Sequence, residues 1–119
     1  MGYDLLITRA NFWAENEDAQ IRPEEWLAII ESDSELSLVS EIQGQQLNSP
    51  YFVAWNGESI HAEPWLDWAD GNIYSKNPDQ AIIRKMVSIG KLLKAKVQGE
   101  DGEEYDGSEE GYLYRSAWE

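Results

Sequence analysis

Apolar positions along this chain follow two different spacings. Trp26, Leu27, Ile29 and Ile30 recur at helical intervals behind Pro23, and Glu24 and Glu25 occupy the first turn, where negative charge complements the helix dipole. This predicts a helix over about 23–33. Ile82, Met86, Ile89 and Leu93 repeat the pattern, with Ile83 and Val87 widening the stripe. Asn77-Pro78-Asp79 precedes them, with Asn77 expected as the cap and Pro78 in the first helical position. The second helix is expected over 78–94. Gly90 within it costs up to ~1 kcal/mol relative to Ala, which points to close packing against a sheet.

The other spacing is that of strands. YDLLITR at 3–9 and YFVAW at 51–55 are rich in β-formers, and a short strand is expected within 36–42. Three turn dipeptides punctuate the chain: Asn56-Gly57, Asp70-Gly71 and Asp101-Gly102. Each is a hairpin signal, because these residues tolerate the left-handed backbone of a tight turn. Residues 11–22 and 44–50 are polar and read as loops, the first anchored by Phe12 and Trp13. The pattern predicts an α+β fold: an antiparallel or mixed β-sheet built from hairpins, with two main helices on one face and a split βαβ plan at its centre. Residues 1–106 are expected to form one domain. Residues 107–119 form a C-terminal tail after Gly107-Ser108, expected to pack back or bind a partner.

Composition narrows the function classes. The chain has 119 residues, of which 42% are hydrophobic, with six Trp and six Tyr, so a folded core is expected. There is no cysteine, which excludes disulfides, thiolate metal sites and a cysteine nucleophile. No apolar run approaches the ~18 residues of a membrane span. The start, Met-Gly-Tyr-Asp, lacks the basic and apolar regions of a signal peptide, so a cytoplasmic location is expected. The net charge of −14 disfavours nucleic acid and anionic membranes and favours a basic-surfaced protein partner. The acids concentrate late in the chain, with Glu100, Asp101, Glu103, Glu104, Asp106, Glu109, Glu110 and Glu119 set against Arg115 alone.

Candidate chemistry is sparse. His61 is the one histidine, and no nucleophile stands at a useful spacing from it, Ser59 being too near in sequence. Glu63, Asp67 and Asp70 flank Trp65 and Trp68, but one short segment does not fix the ~5–9.5 Å carboxyl separation of a glycosidase. The run from Asp70 departs from a calcium loop, with Ser75 in place of the turn glycine and Ala81 in place of the closing glutamate. No phosphate loop or dinucleotide fingerprint is present. No catalytic residue, metal or cofactor is therefore expected.

The densest feature is aromatic: Tyr51, Phe52, Trp55, Trp65, Trp68 and Tyr74. Alternation in YFVAW sends Tyr51, Val53 and Trp55 to one side and Phe52 and Ala54 to the other. One set fills the core, and the other either buries beneath loops or meets a partner. The expected partner-binding residues are Trp55, Trp65, Asp67, Trp68, Asp70, Tyr74, Glu103, Glu104 and Asp106, with Trp68 and then Trp55 the leading anchors.

The segments YDLLITRA, EEWL, PWLDWADGNIYSKNPD and AKVQGEDGEEY together resemble a family of small bacterial proteins, mostly uncharacterised, associated with the immunity proteins of polymorphic toxin systems. The resemblance spans residues 3–105. It implies a compact, non-catalytic domain that neutralises a toxin by covering its active cleft, and it transfers no functional residue. The alternative is a small-molecule-binding domain or small enzyme with a pocket lined by Trp and carboxylates. A structural or regulatory subunit is a third reading.

Overall fold

The computed structural model describes residues 4–42, 44–57 and 64–105. Its elements are β1 (Asp4–Thr8), α1 (Pro23–Ser32), β2 (Leu36–Leu38), β3 (Glu41–Ile42), β4 (Gln45–Gln46), β5 (Val53–Trp55), β6 (Trp65–Ala69), β7 (Asn72–Lys76), α2 (Gln80–Leu93), β8 (Lys96–Gly99) and β9 (Glu104–Tyr105). Seven strands make one sheet in the order β2-β5-β6-β7-β1-β8-β9, and β3 with β4 makes a separate ladder. Every pairing is antiparallel. The fold is therefore α+β, as the sequence pattern predicts. At its centre β7 and β8 both pair with β1, and α2 connects them, which is a split βαβ unit.

Register assigns the faces of the sheet. Leu5, Ile7, Val53, Trp55, Leu66, Ile73 and Val97 point to one side, where they meet Trp26 and Ile30 of α1 and Ile82, Met86, Ile89 and Leu93 of α2 in a single core. Gly90 is buried in the last turns of α2. A Cβ there would stand 3.1 Å from the Ala95 carbonyl oxygen and at an ordinary 3.7 Å from Ile7 Cγ2, so the glycine makes room for the chain turning back at the helix end rather than for the sheet. The helix stops where Lys94 turns left-handed (φ 55°) and the Ala95 N–H returns to the Gly90 carbonyl at 2.8 Å.

The opposite, outer face is half covered by loop 9–20. The Trp13 N–H donates to Gln98 Oε1 (3.0 Å), and Gln98 Nε2 returns to the Asn11 carbonyl (2.6 Å). Asn72 Nδ2 donates to the Trp13 carbonyl, and Asn16 Nδ2 to Asn72 Oδ1 and the Asp70 carbonyl. Gln98, Asn72 and Asn16 are thus buried but satisfied, and Leu6 is buried beneath the same loop face. Arg9 clamps the loop's base, donating to the Leu93 carbonyl (2.8 Å) and, through both terminal nitrogens, to Glu25.

The turn dipeptides divide. Asp70 (φ 52°) and Gly71 (φ 84°) form a two-residue hairpin turn with both residues left-handed, as expected for type I′. Gly102 (φ 89°) closes the β8–β9 hairpin, donating to the Gly99 carbonyl. Asn56-Gly57 makes no tight hairpin, because β6 begins only at Trp65. Gly57 answers to space instead: a Cβ there would overlap the Trp55 indole. The helix start also differs from expectation. Asp79, not Asn77, is the cap, its carboxylate accepting from the Ile82 N–H at 2.9 Å, while Asn77 (φ 47°) turns the chain out of β7. The strand expected over 36–42 is two short strands in different sheets, and β4 occupies part of the expected loop at 44–50.

Candidate functional site

The part of the outer face left open by loop 9–20 lies over β5, β6 and β7. Alternation brings Trp65 and Asp67 of β6 and Tyr74 of β7 to this side, with Phe52 entering just before β5. Phe52 and Trp65 stack at 5.1 Å between ring centroids, inclined by 25°. Tyr74 meets Trp65 edge-on at 5.5 Å. These are the geometries that ring quadrupoles favour.

Beside this aromatic ladder is a cleft of about 380 Å³, bounded by Phe52, Asp67 and Tyr74 and by residues 47–49. Asp67 is 5% exposed and sits directly across from Tyr74. Its Oδ1 accepts from the Ser49 hydroxyl (2.7 Å) and the Trp68 N–H (2.8 Å). Its Oδ2 faces the Tyr74 hydroxyl at 3.4 Å. Burial, followed by the charge of Asp67, pushes the Tyr74 hydroxyl above its ordinary value of 10.0. The ion pairs among the described residues use other carboxylates, and none places a lysine or arginine beside Asp67.

A larger cleft of about 550 Å³ opens along loop 9–19. Its acids, Glu15, Glu17 and Asp18, are exposed, and its one base, Arg9, is already committed to Glu25. Nothing there converges as Asp67, Tyr74 and Phe52 do. Among the described residues no three His, Asp or Glu side chains stand together as a metal ion would require. No helix among them is long and apolar enough to cross a membrane.

No family model, curated protein or solved structure matches this chain.

The expected partner-binding set is split by the fold. Trp65, Asp67 and Tyr74 come together on the open face. Trp68 and Trp55, the leading anchors expected from the sequence, belong to the helix side. Trp68 packs edge-on to Tyr51 and donates its indole N–H to the Ile21 carbonyl (2.8 Å). Trp55 is in the core and donates to Glu35 Oε1 (3.0 Å). Trp13 and Trp26 likewise donate, to the carbonyls of Glu100 and Tyr51. Four of the six tryptophans thus tie distant parts of the chain together, three through backbone carbonyls and Trp55 through the Glu35 carboxylate, and that accounts for most of the tryptophan excess.

Asp70 is exposed at its turn. Glu103 is buried, and Glu104 lies on edge strand β9, 4.0 Å from Lys96. Strands β7, β1 and β8 separate β9 from β6, roughly 19 Å at ordinary strand spacing, and loop 9–20 crosses that interval. Glu103 and Glu104 therefore do not share one contiguous patch with the aromatic ladder. Asp106, the tail 107–119, His61 and Glu63 lie outside the described residues.

Sequence reasoning missed Ser49 and the loop at 47–49, whose relation to Asp67 crosses 18 positions and leaves no local signal. Phe52 carried a signal in its alternation against Val53 and Trp55, but only the placement of the helices says which side is open.

Proposed function

We propose that this chain is a non-catalytic, acidic protein-binding domain, an immunity protein that neutralises a toxin domain by covering its active cleft. In this reading the open outer face of β5–β7 is the contact surface. One observation carries the reading: the Phe52–Trp65–Tyr74 ladder stands on the sheet face turned away from both helices, beside a buried carboxylate. Large, rigid aromatic rings give contact area at little conformational cost, and they dominate interface energetics. The net charge of −14 steers a basic partner toward this face from a distance. Glu104 acts through that long-range field, because the sheet holds it far from the ladder.

The test is a binding titration against the product of an adjacent toxin gene, at low and high salt, and the absence of any such neighbour overturns the reading. Trp65→Ala is expected to speed dissociation and cost ~2 kcal/mol or more. Neutralising Glu103, Glu104 and Asp106 together is expected to slow association and flatten its salt dependence. Failure of the wild-type chain to protect cells expressing that domain overturns the reading.

A second reading, a small-molecule site, is favoured by the cleft itself, whose volume of about 380 Å³ falls within the usual range of ligand pockets. A chain that binds a small cation and no protein would favour it.

A further inference from the structure

The cleft beside the aromatic ladder has chemistry of its own, and it narrows what a partner must bring. Asp67 is a carboxylate at 5% exposure with no cation beside it among the described residues. A buried charge is costly unless it is paired or hydrogen-bonded, and Asp67 is only half provided for. Oδ1 is occupied by the Ser49 hydroxyl and the Trp68 N–H. Among the described residues Oδ2 has only the Tyr74 hydroxyl at 3.4 Å, well beyond the ~2.7–2.8 Å of a good O–H···O bond. Its accepting capacity is unspent. Phe52 forms an aromatic wall of the same cleft, and Trp65 is stacked behind it.

We infer that this cleft takes the guanidinium of one arginine side chain from the partner protein, paired to Asp67 Oδ2 and lying along the Phe52 ring. The inference rests on the protein-binding reading above and specifies its central contact. A planar guanidinium meets both demands of the site, since it stacks on an aromatic face while its in-plane N–H groups donate to a carboxylate. A compact ammonium is more strongly hydrated and cannot stack. An anion would face the Asp67 charge directly. The phenolic oxygen of Tyr74 supplies a second acceptor at the cleft wall, and the chain's net charge of −14 raises the local concentration of cations. Docking a partner over the cleft excludes water from the pair, which strengthens it and locates the arginine as an anchor at the centre of the interface.

The experiment titrates the full chain with Nα-acetyl-arginine amide and, separately, with its neutral isostere Nα-acetyl-citrulline amide, following backbone amide resonances. Saturable shifts centred on Ser49, Phe52, Asp67 and Tyr74 are expected with the arginine derivative. Citrulline is expected to bind at least ~10-fold more weakly, and Asp67→Asn to weaken arginine binding by a similar factor, about 1.4 kcal/mol. Asp67→Asn keeps the shape of the side chain and an oxygen for Ser49, and its resonance dispersion reports whether the fold survives. Tyr74→Phe provides a second variant, with a smaller loss expected. Equal binding of arginine and citrulline derivatives, shifts confined to the exposed acids of loop 9–19, or full affinity in Asp67→Asn would each overturn the inference. The same variants, tested against the toxin domain, separate the two claims. If that domain binds Asp67→Asn at full strength, the arginine contact falls and the protein-binding reading stands. If the arginine derivative binds in the cleft and no protein partner binds, the protein-binding reading falls and the cleft remains a guanidinium site.

Discussion

Lys85 and Asp33 meet at 2.6 Å although 52 positions separate them in the chain. The same ammonium reaches Glu35 Oε1 at 2.8 Å, and that oxygen also accepts the Trp55 indole N–H. One lysine on α2 therefore ties down the segment that follows α1 and, through it, the edge of the sheet. Hydrogen bonds from Lys85 hold the carboxyls of Asp33 and Glu35 below their ordinary values. At Lys85, desolvation pulls the pKa down, but the hydrogen bonds to Asp33 and Glu35 outweigh it and the net direction is up. Two depressed acids contribute stability that is complete above their ordinary values and lost as pH falls through the folded ones. A raised lysine contributes stability that is complete below its ordinary value and lost as pH rises through the folded one. Lys85→Met is thus expected to cost about 1–3 kcal/mol in urea unfolding near neutrality. That difference should hold over a plateau from about pH 5 to 10 and shrink on both sides of it.

Gly71→Ala should be costly for two reasons that act together. Its φ of 84° is one that an L side chain rarely adopts, and the added Cβ would meet Gln20 Cγ at 2.6 Å and Asn16 Nδ2 at 2.9 Å. A loss of about 2 kcal/mol or more is expected. Because Ile21 donates to the Gly71 carbonyl, faster amide exchange at Ile21 should accompany it. A stability change within about 0.5 kcal/mol would show that the turn relaxes freely.

Ile89 and Leu92 stand one turn apart on α2, yet the first is 1% exposed and the second 69%. Ile89→Ala is expected to cost about 2–5 kcal/mol, from lost burial plus a cavity. Leu92→Ala should stay within about 0.5 kcal/mol. Similar losses at the two sites, measured by chemical denaturation, would mean that the helix presents a different face to the sheet.

Tyr74 offers a direct readout of the cleft. Burial raises its pKa first and the Asp67 charge second. Removing that charge in Asp67→Asn should lower the Tyr74 pKa without returning it to 10.0, since burial remains. A ¹³C-detected tyrosine titration resolves it. An unchanged value would mean that the two side chains do not interact in solution.

Helices and two of the three hairpin turns were legible in the residues because each depends on near neighbours. Ile82, Met86, Ile89 and Leu93 share a face by helical geometry alone. Asp70-Gly71 suits a left-handed pair of residues wherever the strands run. Local signals failed where two nearby residues offered the same chemistry or where one residue served a different purpose. Asn77 and Asp79 are both competent caps, and only the exit of β7 through a left-handed Asn77 left the role to Asp79. Gly57 looks like a turn glycine, yet the indole of Trp55 is what demands the missing side chain.

The open face was beyond local reading. Alternation in YFVAW separates Phe52 from Val53 and Trp55, but it is symmetric: it states that two sides differ and not which one the helices cover. That depends on β5 pairing with β2 and β6, and on α1 and α2 packing on the same side as Val53. The tryptophans show the same limit, since an indole that holds the Ile21 carbonyl and one that stacks on an open face have the same composition. Strand order set the remainder, placing Ser49 against Asp67 and Tyr74 while carrying Glu104 three strands away. Periodicity and turn chemistry act over a few residues, so the amino-acid order alone determined the elements. Which side chains meet depends on contacts between distant segments, and only the packed sheet decided it.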